Sequence, residues 1–226
     1  MIELRGVGHR FAEAAAPALA GLDLSIGERR VAVIGANGSG KSTFARLLNG
    51  LIVPSEGSVR VDDLDTRTDG KAVRRRVGFV FQNPDHQIVL PTVAEDLAFG
   101  LRNLKLPAAE IAARSEAALD RYGLAPLRDR SAHLLSGGEK QMLAIASAVV
   151  MEPRYIVFDE PTTLLDLRNA RRIGGVIAEL SQSAIVITHD LPLIEGFERV
   201  LVFDRGRLVA DDAPKPAIAR YLELVG

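Results

Sequence analysis

Nine residues, GANGSGKST at positions 35–43, carry the clearest chemistry in the chain. Gly35, Gly40, Lys41 and Ser42 stand at the fixed positions of a phosphate-binding loop, G-x-x-x-x-G-K-[ST]; Asn37, Gly38, Ser39 and Thr43 complete the stretch. Glycines let the backbone close so tightly that several N–H groups converge on a polyphosphate. A helix starting at the loop's end adds positive potential. The Lys41 ammonium suits the β- and γ-phosphates and the Ser42 hydroxyl suits Mg²⁺. The flanks agree: apolar Val31 to Ile34 form a strand, and Phe44, Leu47, Leu48 and Leu51 follow at helical spacing. A nucleoside triphosphate is the expected ligand.

Such a loop needs a carboxylate from a neighbouring strand to hold the metal. Asp159, after the apolar run Tyr155 to Phe158, is placed for that. Glu160 beside it suits a general base for an attacking water. Without the loop upstream, this pair would be an ordinary solvated strand end. Ser136-Gly137-Gly138, at a predicted helix start with Ser136 as N-cap, is a second place where amides could meet an anion. Ser-Gly-Gly is commonly only a cap and turn. If both are phosphate sites, either they lie together on one fold or each faces a different nucleotide.

The elements that must position these groups follow from the rest of the chain. Its 226 residues suit one large domain or a domain with an inserted lobe. Charge is balanced, with 28 basic and 29 acidic residues, which argues against general nucleic-acid binding. Cysteine is absent, excluding disulfides and thiolate chemistry. Aromatics at 5% leave no broad base-stacking platform. The N-terminus lacks the apolar core of a signal peptide, and no run of about eighteen apolar residues occurs. The most apolar helical stretch, Met142 to Met151, is too short to span a bilayer. The expectation is a soluble, cytoplasmic protein with any membrane role taken through a partner.

In order along the chain, Met1 to Arg5 and Leu22 to Ile26 alternate as an antiparallel strand pair, with an Ala-rich loop between them. Phe11, on spacing alone, is a core aromatic. Val59 and Val61 suggest an edge strand, and Val77 to Phe81 a buried one, broken at Pro84. Residues 92–132 turn helical, with a face of Ile111, Ala118, Leu119 and Tyr122 stopping at Gly123 and Pro126. Ile173, Val176, Ile177 and Leu180 make a helical stripe, and Ala184 to Thr188 a strand leading into His189. Val200 to Phe203 and Gly206 to Val209 form a closing pair, and Ile218 to Leu224 a short helix. Alternating strands and helices imply a mainly parallel α/β sheet with helices on both faces, an antiparallel β subdomain and an inserted helical lobe. The expected division is a nucleotide-binding core of residues 1–82 and 133–226 with the lobe at about 83–132.

The chain resembles the ATP-binding-cassette (ABC) ATPases over nearly its whole length. GANGSGKST is similar to Walker A, and Gln82 falls at the Q-loop position. LSGGEKQ (135–141) resembles the ABC signature, YIVFDEP (155–161) Walker B with the catalytic glutamate, and Asp166 the D-loop aspartate; His189 in ITHD takes the switch-histidine position. Phe11 aligns with the aromatic that stacks on adenine. The resemblance implies a P-loop fold, ATP and Mg²⁺ as cofactors, and hydrolysis to ADP and phosphate. Lys41 and the loop amides would hold phosphates, while Ser42, Asp159 and Gln82 order Mg²⁺ and its waters. Glu160 would polarise the attacking water and His189 contact the γ-phosphate. It also implies two subunits sandwiching two ATP molecules head to tail, so that Ser136, Gly137 and Gly138 of one complete the site begun by Lys41 of the other. Departures are Leu164 in TTLLD, where a small residue is common, Glu139 at signature position five, and Met142 after EKQ. None removes a catalytic group.

FQNPDHQI (81–88) and EDLAFGLRNL (95–104) are similar to the energy-coupling-factor (ECF) importers of vitamins and transition-metal ions. There the ATPases work with a transmembrane coupling subunit and a small substrate-binding membrane subunit, on the cytoplasmic face of the membrane. Many cobalt and nickel ATPases of that group carry a C-terminal extension, so a chain of this length tilts the expectation toward biotin. Intact motifs in one short chain favour a homodimer over a heterodimer with a second ATPase. The alternatives are a conventional binding-protein-dependent importer and a non-transport cassette of translation or DNA repair.

Overall fold

The computed structural model describes residues 1–226. Strands β1 (Ile2–His9) and β2 (Leu19–Ile26) pair antiparallel, with Ile2 opposite Ile26 and Leu4 opposite Leu24. Irregular register beyond Leu4 carries β1 through to His9, past the alternation that marks Met1 to Arg5. Residues between the strands form loop and turn, as expected. The chain continues through β3 (Arg30–Gly35), α1 (Lys41–Leu48), β4 (Glu56–Val61), β5 (Leu64–Asp65), α2 (Gly70–Arg76) and β6 (Val77–Val80). Then come α3 (Val93–Arg102), α4 (Ala108–Arg121), α5 (Gly137–Val149), β7 (Tyr155–Asp159) and α6 (Leu167–Glu179). The last elements are β8 (Ser183–Ile187), α7 (Leu191–Ile194), β9 (Arg199–Asp204), β10 (Arg207–Asp212) and α8 (Pro214–Val225).

One sheet runs β2-β1-β4-β5, the other β10-β9-β3-β8-β7-β6. Three expectations need correction. β4 is interior rather than an edge, because the two-residue β5 pairs with it through Arg60–Asp65 and Val61–Leu64. β5 is too short to show periodicity. Helix α2 was not expected, since Val73 is its one buried side chain and leaves no stripe. The C-terminal helix starts at Pro214 rather than Ile218, with Pro at its first position, where the missing N–H costs nothing.

β3 and β7 are buried at every position, so their alternating side chains feed two cores. Val31, Val33, Val157, Ile185, Leu201 and Phe203 face α1, where Phe44, Leu47 and Leu48 meet the four-stranded sheet. Ala32, Ile34, Ile156, Phe158 and Val186 face α5 and α6, through Met142, Leu143, Ile145, Ile173 and Ile177. That second core extends without a break to Leu97 and Leu101 of α3 and to Ala118 and Leu119 of α4, joined by Tyr122. The helical face foreseen at Ile111, Ala118, Leu119 and Tyr122 is therefore the buried one, although Ile111 is only partly covered.

Register sets the functional geometry. β3, β8, β7 and β6 are parallel neighbours, with Val33 level with Ile187, Asp159 with Ile187 and Phe158 with Val80. The phosphate loop, Asp159-Glu160, His189 and Gln82 thus all leave the sheet at one carboxyl edge, where open α/β sheets bind ligands.

Candidate functional site

The loop after β3 enters α1 through Gly40, whose φ of 101° is open to glycine at little cost. A Cβ there would lie 2.5 Å from the Ala18 carbonyl oxygen, and one at Gly35 would lie 2.2 Å from that of Phe203. The loop is also stitched from behind: the Gly206 amide donates to the Ser39 carbonyl (3.0 Å) and the Ala20 amide to the Gly206 carbonyl (2.9 Å). Ala18 and Gly206, far from the motif in sequence, carry no signal that could have announced this role. Gly40→Ala is expected to displace the loop and abolish ATP binding, measured by calorimetry, while circular dichroism stays native. Wild-type affinity in that variant would show the contact to be dispensable.

The cavity in front of the loop has a volume of about 220 Å³ and is lined by Asn37, Gly38, Gly40, Lys41, Ser42, Thr43, Ala18 and Glu160. The Lys41 Nζ donates to the carbonyls of Gly35 (2.8 Å) and Ala36 (2.9 Å), leaving its third hydrogen free. Burial pushes the Lys41 pKa down, against the pull of the Glu160 and Asp159 carboxylates. The Ser42 hydroxyl donates to Asp159 Oδ1 at 3.0 Å. Asp159 is 4% exposed, and burial raises its pKa despite the Ser42 hydrogen bond. A hydroxyl and a carboxylate side by side, next to space for phosphates, match the hard oxygen donors that Mg²⁺ takes, with substrate oxygens and waters completing the shell.

Glu160 sits at φ 50°, an uncommon backbone setting for a non-glycine residue, and its amide donates to the Ile187 carbonyl (2.9 Å). Both carboxylate oxygens are engaged. Oε1 lies 3.1 Å from His189 Nε2, while Oε2 accepts from Gln82 Nε2 (3.1 Å) and from the Thr163 hydroxyl (2.9 Å). Gln82 therefore meets the acid rather than the Ser42–Asp159 pair to which the resemblance tied it. Thr163 was not singled out from sequence; its spacing three residues after Glu160 is the only signal. Phe11 is 44% exposed, not a core aromatic, and its edge is braced by His9 at 4.7 Å between ring centroids. It does not line the loop cavity, but an open ring of this kind is suited to stacking.

Ser136, Gly137 and Gly138 are not brought to the loop cavity; Gly137 lines a separate hollow with Gln82, Asp85, Lys140 and Leu164. The turn is a capped helix start. Ser136 and Glu139 form a capping box, in which the Ser136 amide and hydroxyl both donate to Glu139 Oε2 at 2.7 Å. The Glu139 amide donates back to the Ser136 hydroxyl (3.4 Å), which leaves the Gly137 and Gly138 amides without an intrahelical acceptor. The Ser136 hydrogen bonds hold the Glu139 pKa below its ordinary value near 4.5. A depressed carboxylate stabilises the fold fully above that value, and the contribution is lost as pH falls through the native pKa. Glu139→Gln is accordingly expected to cost about 0.5 kcal/mol at pH 7, the share of a charge at a helix N-terminus, and less at a pH below the native pKa. Denaturant titrations at both pH values check it; a loss independent of pH would contradict the cap's ionic character.

With this geometry in hand, known proteins supply the class. The family described as ABC transporter matches residues 19–163. A Deinococcus radiodurans relative, 61% identical across 99% of this chain and 98% of its own length, bears the general name "Putative ABC transporter ATP-binding protein". A Rhizobium etli relative, 54% identical across 92% of each chain, is named biotin transport ATP-binding protein BioM. Among solved structures, CbiO1 of Clostridium perfringens, described as part of the ABC transporter complex CbiONQ, superposes with TM-score 0.85 at 34% identity, covering 98% of this chain and 92% of that one. A dimeric ATP-binding cassette bound to ADP and Pi gives TM-score 0.84 at 27% identity, covering 95% and 99%.

This chain belongs to the ABC transporter family, and it is an ATPase of that family. No helix is long and apolar enough to cross a membrane.

Proposed function

We propose that the chain is the ATPase subunit of an ECF-type importer, that two copies close head to tail over two ATP molecules, and that biotin is the solute. The observation that carries the two-subunit reading is the separation just described: an anion-ready turn at Ser136 lies outside the cavity of its own phosphate loop. The D-loop side chain Leu164, which shares the hollow with Gly137 of that turn, is 74% exposed, which suits an apolar contact with another subunit. The BioM relative supports biotin, and the CbiONQ membership of CbiO1 supports partnership with membrane subunits.

In this reading Lys41 turns its free donor to the β- and γ-phosphates while the loop amides cradle them. Ser42 and Asp159 hold Mg²⁺, which when bound supplies charge neutralisation on the phosphates. Phe11 stacks on the adenine. Glu160 accepts the proton of the attacking water, and His189 holds both that carboxylate and the γ-phosphate side of the site. Ser136, Gly137 and Gly138 complete the nucleotide site begun by Lys41 of the other copy, and Gln82, beside Glu160, orders the waters of the metal. The protein sits at the cytoplasmic face of the membrane through its transmembrane coupling subunit, beside a small substrate-binding subunit.

Co-expression with a transmembrane coupling subunit and a small substrate-binding subunit from the same genome, followed by labelled biotin uptake in a transport-deficient host, tests the reading. ATP-dependent biotin accumulation is expected. Accumulation of cobalt or nickel instead would replace the solute, and absence of any membrane-bound complex would overturn the transporter assignment.

A further inference from the structure

Phe11 sits on a loop with little to hold itself in place. After it the chain reads Ala12-Glu13-Ala14-Ala15-Ala16-Pro17, and alanine brings no side chain that could anchor a turn. The anchors come from the two residues before Phe11. The Arg10 guanidinium reaches across the loop and donates to the Ala15 carbonyl at 2.7 Å, while the Arg10 amide donates to the Ser55 hydroxyl at 3.1 Å. The Phe11 carbonyl accepts the Ala14 amide (3.0 Å), and the His9 carbonyl accepts the Ala18 amide (2.8 Å), which shuts the loop at its base. Ala18 is also the residue whose carbonyl backs Gly40. One hairpin therefore presents an open aromatic ring on one side and abuts the phosphate loop on the other.

His9 is the unexpected member. Both of its ring nitrogens are buried, and neither has a hydrogen-bond partner. Unpaired buried polar atoms cost stability, so hydrogen bonding does not account for a histidine at this position. What the ring does make is a near-perpendicular contact with Phe11, at an interplanar angle of 83°. A pair of this kind covers at most one face of either ring, which leaves Phe11 a face for a base.

We propose that His9 and Arg10 are positioning residues for the nucleotide base: the His9 ring fixes the Phe11 side chain and the Arg10 guanidinium fixes its loop, so that the platform is set before ATP arrives. This rests on the reading of Phe11 as the surface that stacks on adenine. A ring already held loses no rotamer freedom on binding, and the difference appears as affinity. Asp159, Glu160, Gln82 and His189 lie on other elements, so the effect falls on KM and leaves kcat alone. The role belongs to the shape of the His9 ring and not to its nitrogens.

The test uses the full chain, its Mg-ATPase kinetics and calorimetric binding of inorganic triphosphate, which has no base. Phe11→Ala should raise KM for ATP about tenfold or more. His9→Ala should raise it about three- to tenfold with kcat unchanged, and Arg10→Met should act in the same direction. His9→Phe keeps the ring and should keep the native KM, whereas His9→Gln keeps polarity without a ring and should behave like His9→Ala. In a Phe11→Ala background His9→Ala should add nothing, and inorganic triphosphate should bind every variant as it binds the native chain. If Phe11→Ala leaves KM unchanged, the stacking reading falls and this inference with it. If Phe11→Ala raises KM while His9→Ala and Arg10→Met do not, the platform stands and the bracing is wrong. A native KM in His9→Gln with a raised one in His9→Phe would overturn the ring's role. Equal losses for ATP and inorganic triphosphate would overturn it too, by placing the damage in the phosphate loop.

Discussion

Glu160→Gln is expected to bind MgATP at least as tightly as the native protein and to lose steady-state hydrolysis by about two to four orders of magnitude. The shape of the side chain is kept, so Gln82 and Thr163 can still donate to its oxygen at Oε2's place. What disappears is the basicity needed to take a proton from water. Removing one of two adjacent carboxylates also lowers the negative charge that a triphosphate must approach, since Asp159 and Glu160 both act on Lys41. Affinity should therefore hold or improve, and an ATP-loaded dimer should accumulate because it can no longer discharge. Gel filtration with light scattering and a phosphate-release assay measure both halves. Near-normal turnover would remove Glu160 as the base and return attention to His189.

How much of this was legible in the sequence depended on whether a residue works through its neighbours along the chain. Lys41, Ser42 and Gly40 act through a contiguous loop between a strand and a helix, so spacing alone announced them. Asp159 and Glu160 followed, because a buried apolar strand must end where its first acid appears. The Ser136 cap was visible with its Glu139 partner three residues on, which the structure joins in a capping box. Contacts between segments were not legible. Ala18 and Gly206 back the loop, Thr163 holds Glu160, and Lys140 reaches Asp85 across 55 residues. Nothing in residue type announces these pairings. Phe11 shows the opposite case: spacing made it a core residue, while the resemblance made it a surface platform, and the structure exposes it. In the fold, β5 and α2 went unseen because two residues and one buried valine carry no period. β4 was consequently misplaced at an edge.

The central claim is that each nucleotide site is shared between subunits, and mixing two defective proteins tests it most directly. One carries Lys41→Ala and lacks the phosphate-binding ammonium. The other carries Gly137→Asp, which sets a carboxylate against the incoming phosphate. That substitution is sterically mild, because a Cβ at Gly137 meets only the Leu165 side chain at 4.0 Å, and an acid at a helix N-terminus favours the helix. Each protein alone has every site broken. A mixed dimer pairs the intact Lys41 of one chain with the intact Ser136 turn of the other, so one of its two sites is whole. With random assortment, activity should return to roughly a quarter of wild type, since half the dimers are mixed and each has one working site. Mixed dimers captured through two different tags, yet no more active than either parent, would contradict the shared site.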